Sequence, residues 1–323
     1  MYNKTNDLKS NFIILLLPTI YTLILILAFP VDDTIIDRGN YLNYAAYSSD
    51  VMERYSSIGI LNVIFNEPIW LFMNISLSSF LSPENVVRVF ICFSSWVGFY
   101  ICLKNNPKHV LLMILIFLFP QVMKNYVIHL RQGVAITFFI IAYYRDEGLL
   151  RRALFMATPF IHLSFFFVIL IYGLSLLLLR IKFSRGLSTV IVISVGITIA
   201  FSLKFIATYV GSRQANEYEF TSASVSGIAF LFWTVFLMLY WVQGRDFCKK
   251  YSFQVLGILF YLSTYFFIEI TARVFESYIL LVLIACCYLT RYRRILFFGA
   301  LTLFIIFTYF TRLGLPYLGW GVV

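Results

Sequence analysis

A chain of 323 residues with 61% hydrophobic residues, 19% aromatics, only 12% charged residues and a mean hydropathy of +0.87 cannot fold as a water-soluble globule, whose apolar share runs near 45–50%. The composition reads as an all-α, polytopic integral membrane protein. A net charge of +10 would suit nucleic acid, but the Lys and Arg residues lie in short clusters between apolar runs, where they set membrane orientation instead. Nucleic acid is therefore not an expected partner.

The first apolar run, residues 12–29, follows Lys4 and Lys9, lacks a small-x-small cleavage site and continues as AFPVDD, so it reads as an uncleaved first span. Residues 31–57 hold Asp32, Asp33, Asp37, Asp50 and Glu53 against Arg38 and Arg54. This stretch, poor in Lys and Arg, is predicted to be an outer loop. Residues 58–80 are apolar but interrupted by Asn62, Asn66, Glu67, Pro68 and Asn74, which predicts an interfacial or re-entrant element. That placement brings the clusters Lys104/Lys108 and Arg145/Arg151/Arg152 to the inner side; a full crossing would put them outside.

Spans are predicted over residues 87–103, 109–122 and 126–144. Residues 153–179 are too long for one straight span and too short for two, and they contain Thr158-Pro159 and then His162. A short helix that rises partway, breaks near His162 and returns is the expected form. Further spans are predicted over 187–203, 227–242, 253–268, 273–289 and 295–310, with an outer loop over 204–226. The whole makes about ten or eleven membrane segments, one helix pair broken or re-entrant, in a single transmembrane domain over residues 1–323. Sixteen of the 25 Lys and Arg residues then face the cytoplasm, a bias that supports this orientation. No internal repeat of the kind found in secondary transporters is visible. The five cysteines show neither a disulfide framework nor a zinc spacing, no P-loop, glycine-rich dinucleotide fingerprint or HExxH is present, and Asp32, Asp33 and Asp37, which could bind a divalent cation, read as solvated loop, so no metal and no cofactor is expected.

The unusual polar groups collect toward the outer side. Arg131, in the run NYVIHLRQGVAITFFIIAYY, matters most, because an arginine in a bilayer costs about 2.5–3.5 kcal/mol on insertion scales and needs a cavity, a partner or an anionic ligand. Snorkelling to the headgroups is the alternative, although His129 and Gln132 beside it make a polar turn and not a lone anchor. Having no carboxylate at helical spacing, Arg131 reads as unpaired, and Arg131→Ala is expected to leave the protein inserted and folded. Asp37, Arg38 and Tyr41 fall in the first outer loop, Glu67 in the broken element, His162 at the helix break and Arg213 in a later loop. Arg273 begins a span with Glu269 and Glu276 about one turn to either side, either of which would occupy it. Guanidinium groups bind phosphate oxygens bidentately, so Arg38, Arg131, Arg213 and Arg273, with Tyr41 and Gln132, are the candidate substrate-binding residues for an anion such as a lipid pyrophosphate.

Several stretches, taken in order, resemble the EpsG family of exopolysaccharide polymerases, which are similar in role to the Wzy O-antigen polymerases. YVIHLRQGVAITFFIIAYY followed by IHLSFFFVIL is similar to the family's Arg-x-Gly-x-Ala helix and its later Phe-His-x-Ser element; DRGNYLNYAAY, NEPIWLFMN and ARVFESYILLVLI resemble its other elements. The resemblance runs from about residue 37 to residue 289. Ile161 stands where an aromatic commonly precedes the histidine, and Ile69 follows Pro68 where glycine or phenylalanine is common.

The resemblance implies a polymerase in the bacterial cytoplasmic (inner) membrane, its site facing the periplasm or cell exterior, that transfers a growing glycan from one undecaprenyl pyrophosphate to the terminal sugar of another repeat unit. Undecaprenyl-pyrophosphate-linked glycans and membrane lipids are the implied partners, with a chain-length regulator and a flippase beside them. An acceptor hydroxyl attacks the donor's anomeric carbon and a lipid pyrophosphate leaves; arginines stabilise its charge and a general base takes the hydroxyl proton. Asp37, Glu67 and His162 are the catalytic candidates. A single-sugar glycosyltransferase using a lipid-phosphate donor and a lipid-linked oligosaccharide flippase are the alternative readings.

Overall fold

A computed structural model describes residues 4–210, 227–268 and 270–322, with side chains over 11–202, 227–268 and 270–322. Among these residues the chain is helical, apart from one antiparallel bridge between Ile35 and Gly321. Among the described residues four stretches are long and apolar enough to cross a membrane: Asn11–Ala28 of helix α1 (Lys4–Ala28), helix α5 (Pro83–Asn105), Arg185–Ser202 of helix α11 (Arg185–Val210) and helix α17 (Arg291–Arg312). Shorter apolar helices accompany them: α4 (Pro68–Ser78), α8 (Leu130–Tyr144), α10 (Phe165–Ile181), α12 (Ile228–Gln243) and α14 (Ser252–Thr264). The protein is an all-α polytopic membrane protein.

Prolines mark two of the breaks in the predicted spans. The span expected over 109–122 is instead α6 (Val110–Phe117) and α7 (Pro120–Val127), and the apolar pair they form is bent by 76°. Pro120 drives Phe119 into an extended conformation, φ −65° and ψ 125°, which ends the preceding helix. The span expected over 126–144 is also interrupted, because α7 stops at Val127 and α8 begins only at Leu130. Helix α9 (Leu149–Ile161) ends as predicted, His162 turning extended at φ −151° and ψ 123° before α10. Pro159 has no N–H to offer the Phe155 carbonyl, and the Thr158 hydroxyl donates to that oxygen instead at 2.7 Å.

The predicted outer loop over 31–57 is largely helical: α2 (Arg38–Ile58) buries Arg38, Tyr41, Tyr44, Ala45 and Ser48 along one face. That 3–4 residue spacing marks a helix even though its mean composition is polar. Residues 58–80 form α3 (Ile60–Ile64) and α4, with Glu67 at the junction.

The chain divides into two compact units. The first comprises Met1–Ile58, Glu67–His162 and Leu301–Val323. Inside it, the Tyr21, Phe99, Phe117 and Tyr126 rings pack together, the Tyr21 hydroxyl donates to the Phe117 carbonyl at 3.1 Å, and the Thr137 hydroxyl donates to the Ser94 carbonyl at 3.0 Å. The second comprises Gly59–Asn66 and Leu163–Ala300. Its core is built on α14, where Gly257 leaves room for the Tyr278 ring and accepts the Tyr278 hydroxyl at 2.9 Å. Tyr278 lies between α15 (Thr271–Glu276) and α16 (Ile279–Cys286), so the span expected over 273–289 is two short helices.

Close helix packing in lipid needs small residues where backbones meet. Gly133, in the first turn of α8, lies directly against the Asn125 carbonyl of α7, and a methyl group there would overlap that backbone oxygen. Gly133→Ala is therefore expected to destabilise the protein by about 1–3 kcal/mol, the scale of overpacking. The thermal unfolding midpoint of the purified protein in detergent checks this, and it should fall.

Candidate functional site

The first unit gathers three of the polar groups that the sequence marks as unusual. Glu67 caps the N-terminus of α4, just before Pro68, with a left-handed backbone (φ 61°, ψ 55°). A non-glycine residue there stores about 1–3 kcal/mol of strain, which the surrounding contacts must hold. Those contacts are Arg131 and His162. Glu67 Oε2 accepts a hydrogen bond from Arg131 Nη1, and Oε1 meets His162 Nδ1 at 2.9 Å. The carboxylate side chain is only 4% exposed. A buried carboxylate facing a guanidinium is ionised and can only accept, so His162 carries its proton on Nδ1.

Each member sits where a helix stops or starts: Glu67 before α4, Arg131 in the first turn of α8, His162 at the end of α9. Helix ends leave side chains room to converge that a continuous helix does not. Helix α2 closes the cluster from another side. The Arg131 guanidinium lies over the Tyr44 ring at 5.4 Å, a cation–π contact, and Tyr41 shares the buried face of α2 with Tyr44. Both tyrosines pack edge-on against the fully buried Trp70 of α4.

The finding corrects one expectation. Arg131 is not an unpaired cation, because the fold delivers a carboxylate from 64 positions away that helical spacing cannot reveal. Removing Arg131 would strand Glu67, so Arg131→Ala is destabilising instead of neutral. The requirement that an intramembrane arginine have a partner already pointed toward Glu67, the acidic residue of the broken apolar element.

A second pair stands beside the first. Asp37, also left-handed at φ 63°, places Oδ2 3.4 Å from His129 Nδ1. The next residue, Arg38, is fully buried and its Nη2 donates to the Val127 carbonyl at 2.9 Å, at the end of α7. Asp37 and Arg38 thus hold the two ends of the α7–α8 break. Gln132 is buried one position beyond Arg131. His129 and Tyr44 were not among the candidates; the signal for Tyr44 was its register with Tyr41 on one face of α2.

Arg273 lies in α15 of the second unit, with the buried Glu276 three positions on. Arg213 and Glu269 fall outside the described residues. Among the described residues no three His, Cys, Asp or Glu side chains converge as a metal ion would require.

A cleft of about 640 Å³ opens on the other face of α2, lined by Asp32, Asp33, Gly39, Asn43, Glu84 and Arg88 among others. It does not include Glu67, Arg131 or His162. The Thr34 hydroxyl and backbone N–H hold the Asp32 carboxyl below its ordinary range.

The family model described as EpsG family matches residues 13–317, nearly the whole chain. The chain belongs to the EpsG family. No curated protein and no solved structure matches it significantly. For an EpsG-family chain, membership suggests an exopolysaccharide polymerase, and its apolar helices make it a multi-pass membrane protein.

The Glu67–Arg131 pair of this EpsG-family chain has a direct test in stability. Glu67→Gln leaves a buried guanidinium without its counter-ion and should cost about 3–5 kcal/mol. Glu67→Gln combined with Arg131→Gln should cost less than the two single changes together. Unfolding midpoints of the four proteins in detergent give the coupling; a purely additive result would mean the two charges do not depend on each other.

Proposed function

We propose that this chain joins lipid-pyrophosphate-linked oligosaccharide repeat units into an exopolysaccharide or O-antigen at the outer face of the cytoplasmic membrane, as a polymerase of glycosyltransferase type. The observation that carries the reading is the buried Glu67–Arg131–His162 cluster at the ends of three helices, inside a chain whose family suggests a polymerase. Arginine, carboxylate and imidazole are the groups such a transfer asks for. The acceptor hydroxyl attacks the anomeric carbon of the donor, the bond from that carbon to the pyrophosphate oxygen breaks, and the lipid pyrophosphate leaves with the electron pair. A pyrophosphate leaving group needs charge stabilisation more than protonation. Arg131 is the group to supply it: its Nε is buried and unmatched by the described protein atoms, a donor available to a phosphate oxygen. Arg213 and Arg273 are further arginines for the lipid pyrophosphates, with Tyr41 and Gln132 beside Arg131. Asp37, Glu67 and His162 are the candidates for acid–base work that the sequence singles out, and substrates, lipids, a flippase and a chain-length regulator are the partners within this reading.

Arg131→Lys keeps the charge opposite Glu67 but loses the planar fork, so the protein should remain in the membrane while polymer shortens. Surface glycan from a deletion strain carrying each variant, run on a gel beside the membrane level of the protein, reads both quantities. A deletion strain without the gene should show single repeats on their carrier; no repeats at all would indicate a flippase, normal polymer from Arg131→Lys would show that the charge suffices without the fork, and normal polymer from Arg131→Ala at normal abundance would remove Arg131 from the reaction.

Orientation is tested separately. From the Lys and Arg distribution we infer an N-terminus in the cytoplasm and a tail after residue 310 outside. Reporter fusions after Val323 and within residues 291–294 should give opposite signals, and equal signals would reverse the assignment of the outer face.

A further inference from the structure

Among the described residues two carboxylate–imidazole pairs stand out, and they differ in their surroundings. Glu67 is 4% exposed and His162 9%, and both Glu67 oxygens are committed, one to Arg131 and one to His162. An incoming sugar hydroxyl would have to displace one of these bonds to be deprotonated there. The other pair is more open: the Asp37 side chain is 37% exposed and the His129 side chain 14%, with 3.4 Å between Oδ2 and Nδ1. Asp37 and Glu67 are both left-handed non-glycine residues, a conformation that persists only where surrounding structure imposes it and that clusters at functional sites.

The two pairs belong to one constellation. His129 precedes Arg131 by two positions at the α7–α8 break, and α2, which starts just after Asp37, supplies Tyr41 and Tyr44 to Arg131. The Tyr41 hydroxyl lies within electrostatic reach of Arg131, Asp37 and Glu67 together.

We infer that His129, oriented by Asp37, is the group that removes the proton from the acceptor hydroxyl, while Arg131 of the buried Glu67–Arg131–His162 cluster holds the charge of the leaving pyrophosphate. This inference rests on the polymerase reading. In the step, the acceptor O–H proton passes to the His129 imidazole as the acceptor oxygen bonds to the donor's anomeric carbon. The bond from that carbon to the pyrophosphate breaks and its electron pair leaves with the lipid pyrophosphate. Imidazole suits the task because its ordinary pKa lies near neutral pH, and a carboxylate on one ring nitrogen fixes the ring and stabilises the imidazolium that forms. Asp37 is then a positioning residue: it acts through His129. Recognition of the acceptor as a sugar hydroxyl follows from the same chemistry.

The test uses the full-length chain purified and reconstituted in liposomes, with lipid-linked single repeat units extracted from the deletion strain as the probe. The wild type should convert them to a ladder of lengths; failure to do so overturns the polymerase reading, and this assignment with it. Given a working wild type, His129→Ala should slow polymerisation roughly 100-fold or more, the scale of general-base catalysis, and added imidazole should restore activity in proportion to its concentration. His129→Gln retains a hydrogen-bonding partner for Asp37 and serves where the alanine variant fails to insert; it should be comparably slow at an unchanged KM. Asp37→Asn should lower kcat with little change in KM. Either His129 variant polymerising within about threefold of the wild type overturns the assignment, since a general base contributes far more. A slow His129→Ala that imidazole cannot rescue overturns it as well, because His129 would then be a structural residue of the α7–α8 break.

Discussion

The arrangement depends on a charge that the chain cannot leave alone. Arg131 lies in an apolar helix, and Glu67 is the group that makes it tolerable there. Breaking such a buried pair strands the remaining charge, so everything that positions Glu67 is constrained too: the left-handed junction before Pro68, the short α4, and the histidine that takes the second carboxylate oxygen. The pair contributes little net stability over two well-packed apolar side chains. Its presence is better explained by what a paired, oriented guanidinium can do.

Interrupted helices make this possible. Pro68 and Pro159 each lie within a few residues of an interruption, and the polar side chains of the site come from these and from the α7–α8 break: Glu67, His162, and His129 with Arg131. Backbone groups exposed by a break need partners in a medium without water. Arg38 supplies one to the Val127 carbonyl, and Thr158 supplies another to the Phe155 carbonyl. Gly133 allows the backbone of α7 to approach the first turn of α8 closely enough for the break to pack. The glycine two residues after the arginine is thereby explained by contact, independently of any family pattern.

The individual members of the cluster were legible in the sequence because each is a polar residue in an apolar run, and such residues need a reason. Their meeting was not. Glu67 and Arg131 are 64 positions apart, and only the packing of α4, α8 and α9 brings them together. The early acidic stretch was read as loop because its average polarity hides the stripe of Arg38, Tyr41, Tyr44 and Ser48 that α2 buries. Straight spans were expected over 109–122 and 126–144 because hydropathy averages across Pro120 and across the His129 turn, whereas the backbone responds to each residue singly. The break at His162 was legible, since a proline within a run of ambiguous length has few other outcomes.

Glu67 has one more consequence, for what the site ignores. Being tethered to the same fold, it faces Arg131 at a local concentration that dilute ions in the surrounding medium do not match. Chloride or inorganic phosphate arriving from solution must compete with a counter-ion that never diffuses away. A ligand prevails only by bringing binding from elsewhere along its length, as a molecule with a lipid tail and a sugar chain does. Within the proposed reaction, the internal carboxylate therefore acts as a filter, keeping Arg131 quiet toward salt and available to an extended, membrane-held substrate.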